Sequence, residues 1–414
     1  MDRAFSFGPG NPFARLFAIL GLAAIAGLSA CQPPPPPPPP KVVAQPAPEA
    51  GNPLDHDQPS YLRLPNTSPD AVPVRVGVIL PFTSANAAIR NLSAGMLKAA
   101  ELALFDGGNR DILLITAEEG GTPDSAAAAA SKVLDQGAEI IIGPLFGPSV
   151  SAVAPIARDR GVPVLAFSTE RSVAGNGVYL LSFLPQSEVR RVVNYAVAQG
   201  HHNFAAMVPE SPYGDVITRA FSDAVKDAGA VSADIKRFTP DTSSITEPST
   251  AIAKDGADAV MIAQGGGVLH AIGPTLLFNG LDPAKTKLLG TGLWDDPATI
   301  KEQSLTGGWF AAPEPNADDA FNDKYRAVYG ANPPQLASLA YDALSLVTLL
   351  SAGAPYHRFT PQALMDPNGF AGVNGIFRFN ADGTSERGLA VLEVEPDGFH
   401  VVSPAPKTFQ QKNS

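Results

Sequence analysis

The chain has 414 residues, 45% of them hydrophobic, and a formal charge of −11 at pH 7. The negative charge, without clustered Lys and Arg, excludes a nucleic-acid backbone as a partner. Cys31 is the single cysteine, so no internal disulfide can form. The apolar content allows a sizeable core, and the roughly 340 residues that follow an N-terminal tail suit two lobes rather than one.

The N-terminal segment has the layout of a secretory signal. Arg3 and Arg15 are followed by an apolar run at 16–28. This run is shorter than the roughly 20 residues of a membrane-spanning helix. We therefore predict a signal peptide at 1–30. The alternative is a poorly anchored transmembrane helix.

Leu28-Ser29-Ala30-Cys31 resembles the bacterial lipobox. The resemblance implies cleavage before Cys31 and lipidation of that residue, so that acyl chains hold the protein on a membrane. In lipoproteins of this kind, Asp after the cysteine marks retention in the inner membrane. Gln32 stands there instead, and the resemblance thus implies the outer membrane.

Residues 31–71 are predicted to form a disordered tether. The eight consecutive prolines at 33–40 lack amide donors and have a fixed φ, so they favour a stiff polyproline II rod. The rest of the segment is polar and Pro-rich and has no hydrophobic period. Recruitment of a partner domain by the prolines is the alternative.

Apolar runs alternate with helical patterns along 72–184, which predicts the first part of lobe 1. Near-continuous apolar strands are typical of a parallel sheet with helices on both faces. The predicted strands are 74–81, 111–116, 139–143 and 162–167, and the predicted helices are 92–105, 125–136 and 150–160.

The alternation restarts at 185–310 and predicts a second lobe of the same kind. The predicted helices are 187–199, 213–227, 246–254 and 267–279, and the predicted strands are 204–208, 236–238, 257–263 and 287–290.

The C-terminal part is predicted to return to each lobe once more. Residues 311–372, with helices at 318–329 and 335–351, are assigned to lobe 1. Residues 373–402 are assigned to lobe 2 as a hairpin with strands at 375–379 and 389–395, because Asp-Gly pairs favour tight turns. Residues 403–414 are predicted to be a disordered tail.

Three segments resemble type I periplasmic binding proteins of the branched-chain amino-acid-binding group. They are Gly77-Val78-Ile79-Leu80-Pro81-Phe82 with the helix at 95–103, Ile140-Ile141-Ile142-Gly143-Pro144-Leu145, and Tyr213-Gly214-Asp215. The resemblance covers 74–402 and implies a two-lobed α/β fold, each lobe a parallel sheet with helices on both faces. It also implies crossings between the lobes near Leu184, 310–315 and 372–375, and a small-molecule ligand in the cleft.

The loops of lobe 1 supply candidate ligand contacts, because strand ends and helix N-termini converge on the cleft and present free N–H groups. Such a site favours a carboxylate. Arg171 is expected to grip one bidentately, or to pair with Glu170. Hydroxyl side chains in these loops serve equally as caps. The remaining candidates are Ser84, Phe146, Gly147, Ser168 and Thr169.

Lobe 2 supplies four further candidates. Tyr213 is predicted to cover the ligand, and Gln264 and Gly265 to allow a close backbone approach. Amino-acid binders of the family hold the ligand ammonium with an acidic residue near this loop, and the loop itself contains none. Asp295 is the predicted replacement, and the alternative for this acidic pair is a helix cap by Asp296.

Motifs of catalysis and of nucleotide binding are not found. The sequence contains no H-E-x-x-H, G-x-S-x-G or S-x-x-K, and the glycines at 265–267 lack the Lys-Ser/Thr of a P-loop. His201-His202 has no third metal ligand at usable spacing. We therefore predict neither an enzyme nor a cofactor or metal.

Two functions fit this fold on a periplasm-facing lipoprotein of the cell envelope. One is a receptor of an ABC transporter that binds an amino acid, amide or similar small anion and delivers it to an inner-membrane permease. The alternative is an outer-membrane lipoprotein that activates peptidoglycan synthases, that is, penicillin-binding proteins, with a vestigial or regulatory cleft. The resemblance leaves both open.

Overall fold

The computed structural model describes residues 61–63, 72–239 and 241–409. The predicted signal peptide, the lipidation site Cys31 and most of the predicted tether lie outside the described residues. Within that part of the chain, no helix combines the length and the apolar character that a membrane span requires.

Strands and helices alternate through most of the described chain. The strands are β1 (Tyr61–Arg63), β2 (Val74–Leu80), β3 (Ile112–Glu118), β4 (Ile140–Ile142), β5 (Val164–Ala166), β6 (Val178–Leu180), β7 (Asn203–Pro209), β8 (Val231–Phe238), β9 (Ala259–Ile262), β10 (Lys287–Gly290), β11 (Trp309–Ala312), β12 (Phe370–Gly372), β13 (Gly375–Phe379), β14 (Ser385–Arg387), β15 (Ala390–Glu395) and β16 (Gly398–Ser403). The α-helices are α1 (Ala87–Gly107), α2 (Pro123–Asp135), α3 (Gly147–Asp159), α4 (Pro185–Ala198), α5 (Pro212–Asp227), α6 (Thr246–Lys254), α7 (Gly266–Phe278), α8 (Asp319–Tyr329), α9 (Ala337–Leu350) and α10 (Pro361–Leu364).

Lobe 1 is built on a six-stranded sheet with the order β1-β3-β2-β4-β5-β6. Strands β2 to β6 run parallel, and β1 joins the edge antiparallel to β3. This pairing corrects the predicted tether, because residues 61–63 belong to the sheet. A three-residue edge strand shows no hydrophobic period, so the tether prediction missed it.

Helices cover both faces of this sheet. On one face α1 and α9 pack around Met96 and Leu344. On the other, α2 and α3 pack around Val133 and Val153. Burial of these amphipathic faces, more than intrinsic propensity, stabilises the helices.

Lobe 2 is built on a seven-stranded sheet with the order β16-β15-β11-β10-β9-β7-β8. Strands β7 to β11 are parallel, and β15 and β16 add antiparallel pairs at one edge. Helices α4 and α5 cover one face around Phe221, and α6 and α7 cover the other around Ile272. The predicted class is confirmed: a two-lobed α/β fold with parallel sheets and helices on both faces.

The third crossing between the lobes lies later than predicted. Strand β13 pairs with β12 and β14 in a small antiparallel sheet, and Phe377 and Phe379 are buried in the core of lobe 1. The predicted hairpin of 375–379 with 389–395 is therefore wrong. The turn at 380–384 returns the chain to β14, and the chain reaches lobe 2 only with β15, which pairs with β11. The lobe 1 return thus extends beyond 372.

Two other boundaries also shift. Strand β11 belongs to the sheet of lobe 2, so the second lobe continues to Ala312 rather than ending at 310. The predicted disordered tail is wrong for 403–409. There the Ala405 amide donates to Glu314 Oε1 at 2.9 Å, and Arg378 lies over the ring of Phe409 at 4.5 Å. Residues 410–414 lie outside the described chain.

Candidate functional site

Two cavities lie in the cleft between the lobes and share Thr169, Pro185 and Tyr213. The first, which we call the hinge cavity, has about 460 Å³ and is bounded by the crossing segments at 183–188 and 312–318. The second, the α5 cavity, has about 780 Å³ and lies between the loop at 169–172 and the first half of α5. Both lobes line both cavities, so a molecule held here contacts the two lobes together.

The hinge cavity is lined by carboxylates. They are Glu188, Asp295, Glu314 and Asp318, and no Lys, Arg or His lines this cavity. In the described part of the chain, none of the four forms an ion pair. The cavity is therefore strongly negative when these groups are ionised.

Glu188 lies in the first turn of α4, and its Oε2 accepts a hydrogen bond from the Gly292 amide at 2.9 Å. Burial raises the pKa of Glu188 to about 7; the Gly292 amide opposes the rise, and the charge of Asp295 adds to it. A carboxyl with such a pKa titrates near neutrality and responds to any charge placed beside it.

Asp295 follows a short 3₁₀ turn, Gly292–Trp294, and lines the hinge cavity. Desolvation raises the pKa of Asp295, and the charges of Asp318 and Asp296 raise it further. Asp296 instead accepts a hydrogen bond from the Ala298 amide at 2.8 Å. The two neighbouring acids thus have different contacts: Asp296 caps a turn, and Asp295 lines the cavity.

Two amides that lead into α3, those of Leu145 and Phe146, are taken by a carboxylate of the chain itself. Glu119 is fully buried beside this helix end, and its Oε2 accepts a hydrogen bond from the Leu145 amide at 3.2 Å. Burial raises the pKa of Glu119, while the Ser149 hydroxyl and the amides of Leu145 and Phe146 lower it. A carboxylate of the chain itself therefore takes the place predicted for a ligand carboxylate at Phe146.

A second internal carboxylate lies at the same helix end. Glu170 Oε2 approaches Gly147 so closely that no Cβ could be added there without displacing the carboxylate. Glu170 Oε1 also accepts a hydrogen bond from the Ser172 hydroxyl at 2.7 Å. Gly147, a predicted ligand contact, thus has an internal carboxylate close beside it.

Arg171 lines the α5 cavity, and its guanidinium pairs with Asp382 on the β13–β14 turn at 2.6 Å. The predicted alternative partner Glu170 does not form this pair. The pair is exposed, so its contribution to stability is small.

The predicted hydroxyl contacts separate into caps and a cavity residue. Ser84 lies outside both cavities, where its Oγ accepts a hydrogen bond from the Asn86 amide at 3.3 Å. Ser168 is buried, and its Oγ accepts a hydrogen bond from the Glu170 amide at 3.0 Å. Thr169 lines both cavities. Ser84 and Ser168 thus follow the capping alternative.

Tyr213 lines both cavities, and its hydroxyl shares a hydrogen bond with Thr291 Oγ1 at 2.9 Å. Gly214 follows because a Cβ at this position would collide with the Pro209 carbonyl oxygen. The Tyr-Gly pair therefore combines a cleft side chain with a close backbone approach.

Gln264 and Gly265 contact neighbouring residues of lobe 2. Gln264 Nε2 donates to the Gly265 carbonyl at 3.1 Å. A Cβ on Gly265 would lie 2.8 Å from the Leu293 carbonyl oxygen. The predicted close approach exists, but it brings together two loops of lobe 2 rather than a loop and a ligand, and neither residue lines the two cavities.

A family model described as periplasmic binding protein matches residues 73–398, most of the chain. The chain belongs to the periplasmic binding protein family. The predicted resemblance to the type I fold and its branched-chain amino-acid-binding group is confirmed.

Solved structures of periplasmic binding proteins share this fold at low identity. A branched-chain amino acid ABC transporter protein from Rhodospirillum rubrum matches with a TM-score of 0.70 and 20% identity, over 80% of this chain and 100% of that chain. A leucine-binding protein from Thermotoga maritima gives 0.55 and 20%, over 80% and 99%. A solute-binding protein of R. palustris in complex with benzoate gives 0.56 and 18%, over 82% and 98%.

One curated relative matches part of the chain. It is the uncharacterized protein RP748 of Rickettsia prowazekii, 18% identical over 150 residues, which is 36% of this chain and 39% of that protein. The match thus spans less than half the length of the relative.

The binding-protein cleft contains residues that sequence reasoning missed. Glu188 lies inside a predicted helix, where an acid in the first turn is ordinarily explained by the helix dipole. Asp318 and Asn374 lie on segments more than 100 residues away from Glu188 in the chain, and both line the hinge cavity. A weak signal for Glu188 was its position directly after the first crossing, at the start of lobe 2.

Proposed function

We propose that this periplasmic binding protein is the solute receptor of an ABC transporter and holds a small solute in the hinge cavity. The observation that carries the proposal is a cavity of about 460 Å³ lined by polar side chains from both lobes at the crossing segments. This size and position are typical of small-molecule sites. The same fold is found in a branched-chain amino acid ABC transporter protein, a solute-binding protein of an ABC transporter and a leucine-binding protein.

The geometry supports a hinge mechanism. The chain crosses between the lobes after Leu184, after Ala312 and after Arg387, and the first two crossings border the hinge cavity. A solute in contact with both walls favours lobe closure, because it gains contacts on the second lobe only when the lobes approach. The closed form would then present a distinct surface to a permease.

Native mass spectrometry of the full-length chain, purified without refolding, tests the proposal. We expect a small mass that is retained under native conditions and released on denaturation. Asn374→Leu should reduce the retained mass, because Asn374 lines the hinge cavity. Ser84→Ala should leave it unchanged, because Ser84 lies outside both cavities. A bare protein that also shows no thermal shift with any solute would contradict the receptor function.

That negative result would favour the alternative partner, a peptidoglycan synthase. Capture of penicillin-binding proteins by the full-length chain is then the decisive experiment. Recovery of an importer permease instead would restore the receptor proposal.

We also propose that the protein is a lipoprotein of the cell envelope, anchored through Cys31, with the outer membrane as its destination. The support is the sequence Leu28-Ser29-Ala30-Cys31-Gln32, which lies outside the described residues. Cys31→Ala should release the protein from the membrane fraction. Membrane attachment that survives this change would overturn the anchor.

A further inference from the structure

We propose that the solute of the hinge cavity is an organic ammonium cation that carries no carboxylate, held between acidic side chains of the two lobes. This inference rests on the proposed receptor function and names the class of its solute.

The first support is the charge of the cavity walls. Glu188 and Asp295 face the hinge cavity from lobe 2, and Asp318, directly before α8, faces it from lobe 1. Like charges on opposite walls of a cleft repel each other more strongly as the lobes approach. A cation placed between them reverses the sign of this interaction and favours closure.

The second support is an amide oxygen on the wall of the cavity. Asn374 is 8% exposed and lines the hinge cavity, and its Nδ2 donates to Ser338 Oγ at 2.8 Å. No described residue donates a hydrogen bond to its Oδ1. With Nδ2 held by Ser338, this oxygen is the part of the side chain that can accept the N–H of an ammonium group.

Aromatic side chains complete the cavity. Phe183 comes from the first crossing and Tyr213 from α5, and both line the hinge cavity. Ring faces attract ammonium groups and tolerate their alkyl substituents. The Arg387 guanidinium already lies over the Phe183 ring at 4.5 Å, so Tyr213 is the ring that would receive the ammonium group. Carboxylates, an amide oxygen and aromatic rings are together the groups that bind ammonium ions.

Several of the groups predicted to hold a carboxylate contact other residues of the chain. The α3 N-terminus contacts Glu119 and Glu170, and Arg171 pairs with Asp382. An amino acid or benzoate would therefore bring a negative charge into a negative cavity without a basic partner there. An amine without a carboxylate avoids this cost.

The volume of the cavity favours an organic cation over a bare metal ion. A magnesium or calcium ion binds oxygen ligands at roughly 2.0–2.6 Å, whereas the carboxylates here are spread over the walls of about 460 Å³. A diamine and a quaternary ammonium both meet this description, and the experiment separates them.

Isothermal titration calorimetry on the full-length chain tests the inference with five probes: 1,4-diaminobutane, choline, L-leucine, benzoate and calcium ion. We expect one of the two organic cations to bind, and the stronger one identifies the diamine or the quaternary class. Asp295→Asn and Glu188→Gln should each weaken it about tenfold or more, the size expected for loss of a desolvated charge partner. Asp296→Asn is the matched control. It removes the same charge from the next residue in the chain, whose side chain accepts a hydrogen bond from the Ala298 amide. We expect this variant to weaken binding less than about threefold.

The outcomes separate the two proposals. Binding of leucine or benzoate, with no binding of either organic cation, would retain the receptor function and overturn the cation class. Tighter binding of calcium than of either organic cation would also overturn it. Absence of binding by all five probes, together with no retained mass in native mass spectrometry, would overturn both the receptor function and the cation class.

Discussion

Asp342 in lobe 1 and Glu188 in lobe 2 are both carboxylates with raised pKa values, and their surroundings are opposite. Asp342 is 1% exposed; its Oδ1 accepts a hydrogen bond from the Val373 amide at 2.7 Å, and its Oδ2 lies 3.7 Å from Arg387 Nη1. Glu188 accepts one amide hydrogen bond, from Gly292, and its charged neighbour is Asp295. Asp342 thus lies beside a cation, whereas Glu188 lies beside a second acid.

The difference is one of electrostatic compensation: the charge of Asp342 is balanced within the fold, and that of Glu188 is not. Arg387 also lies over the Phe183 ring at 4.5 Å and donates to the Ser182 carbonyl at 3.3 Å. The pair with Asp342 thereby joins the end of the small sheet to the first crossing segment. Glu188 has the Gly292 amide and the Asp295 charge beside it, and no ion pair of the described residues includes it, so its ionised form costs stability.

Arg387→Met tests the structural pair. It leaves Asp342 buried without a cation, and we expect a loss of about 3–5 kcal/mol in the free energy of unfolding at pH 8. Burial raises the pKa of Asp342 and Arg387 opposes the rise, so removing Arg387 raises this pKa further. The deficit should therefore be smaller at pH 5, where the folded variant takes up a proton. Urea denaturation at the two pH values measures both effects.

The control for that change is Arg160→Met. Arg160 pairs with Asp135 at 2.9 Å on the surface, and we expect a loss below about 1 kcal/mol. Equal losses for the two arginine variants would show that the Asp342–Arg387 pair has no structural importance beyond a surface contact.

Glu188→Gln tests the unpaired carboxylate and should stabilise the protein at pH 8. The pKa of Glu188 is raised to about 7 in the folded state from 4.5, so folding favours its protonated form. That stabilisation is present at low pH and is lost as the pH rises through about 7. Removing the charge should add up to about 3 kcal/mol at pH 8 and little near pH 4. Urea denaturation across this range measures the difference.

Glu247→Gln is the matched control, because Glu247 is an exposed acid in the first turn of α6. We expect a change within about 0.5 kcal/mol at both pH values. If Glu188→Gln destabilised the protein at pH 8, the carboxylate would be structural and the contrast with Asp342 would disappear.

Substitutions of Glu119 and Glu170, the two acids near the α3 N-terminus, have the smallest expected effects on stability. They compare a buried acid with an exposed acid within lobe 1. Glu119→Gln should cost about 1–2 kcal/mol, because a buried acceptor of the Leu145 amide becomes neutral. Glu170→Gln should change stability by less than about 0.5 kcal/mol, because its side chain is exposed. Amide hydrogen exchange at Leu145 should accelerate in the first variant and not in the second.

Much of the fold could be read from local patterns. The strand at 74–81 and the helix at 213–227 were placed within a residue or two of β2 and α5, because burial on a sheet produces a regular apolar period. The third crossing was misplaced for a physical reason. A turn signal such as Asp382-Gly383 shows that the chain reverses, but it does not show which strand the returning chain pairs with.

The site was predictable only in part. Thr169, Tyr213 and Asp295 follow strand ends or begin a helix, and they do line the cavities. Such positions are exposed at the cleft by the topology of parallel sheets. Asn374 carries no local signal and Glu188 only the weak one of its position after the first crossing, since both belong to the cavity through the way the crossings bring distant segments together.

The sequence by itself determined the α/β class, the two lobes and the position of the cleft, because each depends on local periodicity and chain order. The tertiary structure decided what each charge does. Glu119 is satisfied by a helix end, Arg171 by Asp382 and Asp342 by Arg387, whereas Glu188 and Asp295 have no cation beside them. Whether a charge supports the fold or awaits a ligand depends on its neighbours in space, and these lie up to about 200 residues away along the chain.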